Sequence, residues 1–302
     1  MKQSNRPMTL TVQKTWTIER KSLLLEFLFE KLSDWSKSKV KSALSHQLIR
    51  VNGSPVSQFN FELRPGMKVE LLRGSNQAMR PNPYVSIHYE DQWLLVINKQ
   101  PGILSMQSDH HSFCVKTLLD DYLKRSRQAC TAHVVHRLDR ETSGLMVFAK
   151  STKVQQMFAN HWHELVTDRR YLALVSGMMT EEKGTVSSWL KDDKFYFTYS
   201  SPTDNGGKYA VTHFRTLQKS ERYSLVELQL ETGRKNQIRV HLQDIGHPVV
   251  GDYKYGLEGD DPIGRLGLHA FRLNFTHPIT GKPMNFETGY PTTFLEVLST
   301  DV

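Results

Sequence analysis

Five consecutive apolar residues, Leu145-Met146-Val147-Phe148-Ala149, constrain this chain more than any other stretch. A short run with no polar interruption reads as a strand buried on both faces. The nine residues leading into it, His136-Arg137-Leu138-Asp139-Arg140-Glu141-Thr142-Ser143-Gly144, are mostly polar. They set the Asp139 carboxylate between the guanidiniums of Arg137 and Arg140, in a turn that feeds a rigid strand. A surface charge pair and a reactive carboxylate would both look like this locally.

The chain has 302 residues, enough for two domains or for one large domain with an appendage. No stretch approaches the roughly 18 apolar residues of a membrane span. Met1 to Thr11 is polar where a secretory signal needs an apolar core. Cys114 and Cys130 are the only cysteines, and free thiols in a reduced, cytoplasmic setting account for them. The net charge of +8 is confined to the first 80 residues, which hold 14 Lys/Arg against 6 Asp/Glu; the remainder holds 25 of each. Such a segment attracts a polyanion through phosphate neutralisation, or else serves as a basic tail that aids solubility.

Residues 1–15 read as a disordered or extended N-terminus and 16–73 as a first small α/β domain. Leu25, Leu28, Phe29 and Leu32 recur at helical spacing and predict one buried stripe. A second helix is expected from Ser36 as N-cap, with Val40, Ala43 and Leu44 inward and Lys37, Lys39 and Lys41 outward. Leu48 to Gly53 predicts a tight hairpin through its Asn-Gly pair, and Pro65-Gly66 a turn before a strand over 68–72. The polar stretch 74–83 reads as a linker. In 84–302 strands are expected at 84–89, 94–97, 170–175, 211–216 and 223–230. Helices are expected around Val115, Leu118, Leu119 and Tyr122, and around Val154, Met157, Phe158 and His161. No internal repeat is present. The pattern predicts an α+β fold on a large, mixed but mainly antiparallel sheet.

His136 to Gly144 closely resembles the HRLDxxTSG motif of the RluA-type RNA pseudouridine synthases, matching each fixed position. Five further segments follow in family order between residues 84 and 284. Asn98-Lys99 with Pro101-Gly102 resembles NKPxG, with Gln100 in place of a proline. Arg170 to Gly177 resembles the strand that carries the active-site tyrosine, here Tyr171. Leu230 to Leu242 resembles L-x-TGRxHQIRVHL, with Asn236 where histidine is common, and reads as a helix from Gly233 to Gly246. Gly246 to Asp252 resembles GHPxxGD, and Leu266 to Ala270 with Phe275 to Pro278 the late LHA…FxHP motif. More loosely, residues 16–73 resemble an S4-like RNA-binding domain.

The resemblance implies the pseudouridine synthase catalytic fold over 84–302. It makes Asp139 the catalytic aspartate, Arg239 the arginine that pairs with it, and Tyr171 a catalytic tyrosine. Leu268 would border the target uracil, and Arg137 would fill the space that the uridine vacates, its alternative being a salt bridge to Glu141. Lys37, Lys39, Lys41, Arg50 and Arg140 would hold RNA. Substrates implied are structured RNAs, large-subunit ribosomal RNA first and transfer RNA second, with a monomer as the default.

The chemistry fits these residue types. Conversion of uridine to pseudouridine is an isomerisation, so no redox cofactor, metal or high-energy phosphate is required. No dinucleotide, P-loop or Cys-x-x-Cys motif is present. His110-His111…Cys114 lacks a fourth metal ligand. An aspartate with a reference pKa of about 3.9 is ionised at neutral pH, and Arg239 would keep it so on burial. The carboxylate can attack the sugar or remove its 2′ proton; both routes stay open. Reaching a stacked base costs a few kcal/mol of extrusion. Two rival readings are a retaining glycoside hydrolase, with Glu141 as the second carboxylate, and an inactive RNA-binding assembly factor.

Overall fold

The computed structural model describes residues 10–33, 35–45, 48–56, 58–74, 82–107 and 113–300. The chain divides into two compact units, residues 1–80 and 81–302.

The first unit contains β1 Leu10–Thr17, β2 Ser22–Leu23, α1 Leu24–Lys31, α2 Lys37–Ser45, β3 Ile49–Val51, β4 Ser54–Pro55, β5 Glu62–Leu63 and β6 Lys68–Gly74. Four strands form an antiparallel sheet in the order β1-β6-β3-β4, and β2 pairs with β5. β1 thus begins inside the segment read as an N-terminal extension, because Leu10 to Thr17 pair along β6. Asn52 and Gly53 both take positive φ (50° and 81°), the backbone that a two-residue hairpin turn demands. The Asn52 side chain also accepts the Lys68 N–H at 2.8 Å.

Helix α1 buries Leu24, Phe27 and Leu28, with Leu32 just beyond it, while Leu25 and Phe29 are only partly covered. The predicted stripe is therefore one residue out of phase at its start. Apolar residues fill 23–25 and 27–29 without a gap, so periodicity alone permits two adjacent faces. In α2, Val40, Ala43 and Leu44 are buried as expected, and Lys37 and Lys41 are exposed. The Lys39 side chain lies outside the described set. Arg50 is half-buried on β3, opposite Glu70.

The second unit contains β7 Val85–Glu90, β8 Leu94–Lys99, α3 Val115–Arg125, β9 His133–Val134, β10 Ser143–Ala149, α4 Thr152–Asn160, α5 Trp162–Leu165, β11 Val166–Ser176, β12 Lys183–Asp192, β13 Thr198–Ser201, β14 Lys208–Lys219, β15 Tyr223–Leu230, α6 Gln237–Asp244, β16 Leu268–Thr276, β17 Pro283–Glu287 and α7 Thr292–Thr300. Its sheet runs β13-β12-β14-β15-β11-β16-β10-β8-β7, with β17 added on β16 and β9 on β10. All seven residues of β10 are buried. Leu145 and Val147 pack with Val154 and Phe158 of α4, while Leu172 and Leu174 of β11 pack with Phe294 and Leu298 of α7. Among the described residues no helix is long and apolar enough to cross a membrane.

Every pairing in this sheet is antiparallel except β10 with β16, which meet in parallel over two pairs, Ser143 with His269 and Gly144 with Ala270. That junction explains Gly144. Its φ is +119°, and a Cβ there would overlap the Ala270 carbonyl and lie 2.6 Å from the Ala270 nitrogen. Gly144→Ala combines backbone strain with overpacking, and should cost roughly 2–5 kcal/mol in urea denaturation. A change below about 1 kcal/mol would show that the junction yields.

Candidate active site

The strand β10 is the anchor, and its lead-in loop carries Asp139 to the floor of a cleft of about 550 Å³ in the second unit. Two neighbours fix the loop. Leu138 is buried, and its N–H and carbonyl both engage the Ser105 hydroxyl, at 3.1 and 2.6 Å. His136 Nε2 accepts the Val147 N–H at 3.1 Å, which requires an unprotonated nitrogen. Burial, with Arg169 adding to it, pulls His136 down to about 3 and keeps the imidazole neutral.

Across the cleft stands Arg239, on α6. Its Nε and Nη2 donate to the two oxygens of Asp252, each at 2.6 Å, and its Nη1 donates to Asn236 Oδ1 at 3.1 Å. The guanidinium carbon lies 5.0 Å from the centre of the Tyr255 ring. Burial opposes its charge, but Asp252, with Asp139 and Tyr255 adding to it, holds the guanidinium above its ordinary pKa. Asp139 Oδ2 lies 3.7 Å from Nη1. The sequence paired Arg239 with Asp139 alone; the principal partner is Asp252, whose side chain is fully buried. The Asp139 carboxylate, one-third exposed, therefore feels a fixed cation without being tied into a bidentate bond.

Asn236 suits the backbone position it holds. Its φ of 54° is left-handed, a conformation asparagine tolerates well, and it forms the N-cap of α6. The helix therefore starts at Gln237, not at Gly233 as the spacing suggested. The Gln237 side chain turns back onto that segment, accepting from the Thr232 hydroxyl and the Arg234 N–H at 2.8 and 3.0 Å. Asn236 Nδ2 meanwhile donates to the Tyr255 hydroxyl at 3.1 Å. Asn236→Ala should lower stability by about 1–2 kcal/mol and reduce kcat more than it raises KM. Urea melts and saturation kinetics check this, and an unchanged kcat would remove the role.

Tyr171 is buried, and it lines the cleft from the face of β11 opposite Leu172. Burial, with Asp139 adding and Arg169 opposing, pushes its phenol upward, so it stays protonated at neutral pH. Leu268 opens β16 and lines the same cavity, 4% exposed. Arg137 is exposed at its rim, and Glu141 lies against Arg140 at 3.5 Å, not against Arg137. Arg140 is exposed, with its Nε on the Gly102 carbonyl at 3.2 Å.

Arg169 was not anticipated from sequence. It lines the cleft, with its guanidinium 5.1 Å from the Trp162 ring centre. Among the described residues that line the cavity, Asp139 is the only carboxylate, against Arg137, Arg169, Arg234, Lys235 and Arg239. Glu141, the second acid that the glycoside hydrolase reading needs, does not line this cavity. A neighbouring hollow of about 330 Å³ shares Gly233, Arg234 and Lys235 and adds Lys191 and Lys208. Among the described residues no group of three His, Cys, Asp or Glu is placed to hold a metal. His110 and His111 lie outside the described residues.

Residues 93–244 match the family model described as RNA pseudouridylate synthase. YlyB of Bacillus subtilis, called an uncharacterized RNA pseudouridine synthase, is 33% identical over 93% of this chain and 94% of its own length. The ribosomal large subunit pseudouridine synthase D of Pasteurella multocida is 32% identical over 90% and 88%. A solved structure of human RNA pseudouridylate synthase domain containing 1 superimposes with a TM-score of 0.57, at 25% identity, over 72% of this chain and 86% of that one. The chain belongs to the RNA pseudouridylate synthase family. It is an RNA pseudouridine synthase, an isomerase with the α+β fold and the RluA-type motifs that its sequence led us to expect.

Proposed function

We propose that Asp139 acts on a uridine swung out of large-subunit ribosomal RNA into this cleft, with transfer RNA as the second substrate class. One observation carries the reading: the cleft holds a single carboxylate, set 3.7 Å from a buried guanidinium that is anchored through Nε and Nη2 on Asp252 and through Nη1 on Asn236. In the reaction the N1–C1′ bond breaks and a C5–C1′ bond forms. The C5 proton is lost and N1 gains one, so the atoms balance without a co-reactant. Asp139 serves either as the nucleophile at the sugar or as the base for its 2′ proton. Arg239, 3.7 Å away, aims it. Tyr171 supplies a flat face for the base, with Leu268 on the same cavity wall.

The extruded base leaves a gap in the stack, and Arg137, exposed at the rim, is proposed to fill it. Arg234, Lys191 and Lys208 extend the positive lining beyond the cleft and suit flanking phosphates, while Lys235 there pairs with Asp192 at 2.9 Å. Within the first unit, Lys37, Lys39, Lys41 and Arg50 are proposed to grip RNA backbone as an S4-like module, and Arg140 does so beside the cleft. The Pasteurella relative's name favours large-subunit RNA. A cytoplasmic monomer is part of the proposal. Mapping pseudouridines in large-subunit and transfer RNA from a deletion strain tests the assignment. A uridine that stays unmodified only in the deletion identifies the target, and identical maps would reject both substrate classes.

A further inference from the structure

Phe195, Tyr196 and Tyr253 are 76%, 76% and 86% exposed, more than any other large apolar side chain among the described residues. Single exposed rings are ordinary, whereas rings gathered in one place mark a surface that binds something. Phe195 and Tyr196 form the tip of the hairpin that joins β12 to β13, and Tyr253 follows Asp252. The tip is built to keep its rings outside. Asp193 Oδ1 accepts the N–H groups of Phe195 and Phe197, each at 2.8 Å, and Tyr196 takes a left-handed φ of 59°. Phe197 instead packs on Tyr255, with ring centres 4.7 Å apart.

Two lysines lock this tip to the scaffold of the cleft. Lys235, just before Asn236, and Lys254, two residues after Asp252, both donate to the Tyr196 carbonyl, at 2.9 and 3.0 Å. Lys235 also lines the Asp139 cleft, so one side chain connects the cleft with the tip, and Lys254 ties in its neighbour Tyr253. Cations are interleaved with the rings. Lys194 Nζ lies 5.0 Å from the centre of the Phe195 ring and Lys235 Nζ 5.5 Å from that of Tyr196. In the adjoining hollow, Lys191 and Arg234 are held by the backbone carbonyls of Asn205 and Tyr209, at 3.0 and 3.1 Å, and not by carboxylates.

We propose that the 193–197 tip and Tyr253 form a stacking platform for unpaired nucleotides that flank the target uridine, with Lys194, Lys191 and Arg234 on their phosphates. The proposal rests on the reading of the cleft as the uridine site. An unpaired strand offers the face of each base to a ring and a phosphate to the cation beside it. A duplex hides those faces in its own stack. A protein partner fits less well, because the cores of protein interfaces are depleted of lysine. Every base has a π face, so the platform selects an unpaired strand and not its sequence.

The test uses the full chain and three probes, oligouridylate, oligoadenylate and a blunt RNA duplex of equal length, with binding followed by anisotropy across a salt series. Phe195→Leu, Tyr196→Leu and Tyr253→Leu combined should weaken both single strands by about tenfold or more and leave the duplex within about twofold. Leucine keeps apolar bulk but has no π face. All three sites are exposed, so the variant should melt with the parent. Its salt slope should match the parent's, because no cation is removed, whereas Lys194→Gln should lower the slope by about one. Oligouridylate carrying 5-iodouridine should cross-link on irradiation to peptides that contain Phe195, Tyr196 or Tyr253. If the combined variant does not fold, that cross-link and Tyr253→Leu alone decide.

Parental affinity of the combined variant for both single strands would overturn the proposal, as would an equal loss for single strand and duplex. Loss of self-association in sedimentation, with RNA binding intact, would also overturn it and make the patch a protein interface. Asp139→Asn should bind the single strands like the parent. Isomerisation by Asp139→Asn would sink the reading of the cleft, whereas an inactive Asp139→Asn beside a combined variant of parental affinity would sink this proposal alone.

Discussion

Asp139→Asn is expected to fold like the parent and to lose uridine isomerisation by about 10⁴-fold or more. Asparagine matches aspartate in shape but is neutral, so it can neither attack the sugar nor take a proton from it. Little stability should be lost. Among the described residues the one ion pair of Asp139 is the 3.7 Å approach to Arg239, with the carboxylate one-third exposed. Discounted for solvent screening, such a pair contributes less than about 1 kcal/mol. Arg239 meanwhile keeps both of its bonds to Asp252. RNA binding should hold or tighten slightly, because the cleft loses its one negative group and keeps its cations. Chromatography of nucleosides from treated RNA, thermal melting and filter binding check the three parts. Substantial pseudouridine formation by a folded Asp139→Asn protein would remove the aspartate from the chemistry.

Asp252→Ala should have the largest effect on stability, about 3–5 kcal/mol. The loss does not equal the net worth of the ion pair, since much of it comes from leaving Arg239 buried and unpaired. Asp252 Oδ1 also accepts the N–H groups of Lys254 and Tyr255, at 2.9 and 3.0 Å, so the turn beneath the site loosens as well. Activity should fall further than stability alone accounts for. Released from Asp252, the guanidinium has Asp139 as its nearest carboxylate and would draw it into a close pair, occupying the reacting oxygens. Urea denaturation measures the first effect, and kcat under conditions where the variant is folded measures the second. The residues share one network, so Asp139→Asn combined with Asp252→Ala should be strongly non-additive in rate. A cost below about 1 kcal/mol for Asp252→Ala would mean that Arg239 is not held as described.

What the sequence disclosed, and what it hid, follows from how local each feature is. The strand β10 and the turn before it are contiguous, and their apolar run and charge pattern were enough to place them. The same holds for the Asn52-Gly53 hairpin, where two residues dictate the backbone. Tyr171 was legible because alternation along a strand sets one face against the other. The α1 stripe slipped by a residue where apolar positions run together. The start of α6 was misplaced because Asn236 takes a left-handed conformation that hydrophobic spacing does not register.

Buried polar partnerships were the least legible. Arg239 chooses Asp252 over Asp139 because a turn 13 residues away brings a fully buried carboxylate beneath it. The acceptors of Lys99 include backbone carbonyls 41 and 43 residues downstream, which carry no side-chain signature. Arg169 gave no signal beyond its place two residues before Tyr171.

Tritium release tests the assigned chemistry most directly. Isomerisation replaces the C5–H bond of uridine with C5–C1′, so RNA transcribed with tritium at C5 gives up one label to water for each pseudouridine formed. The purified chain, incubated with a large-subunit ribosomal transcript so labelled, should release tritium to a plateau at a small whole number per transcript. Binding of large-subunit and transfer RNA transcripts with no release from either would contradict it.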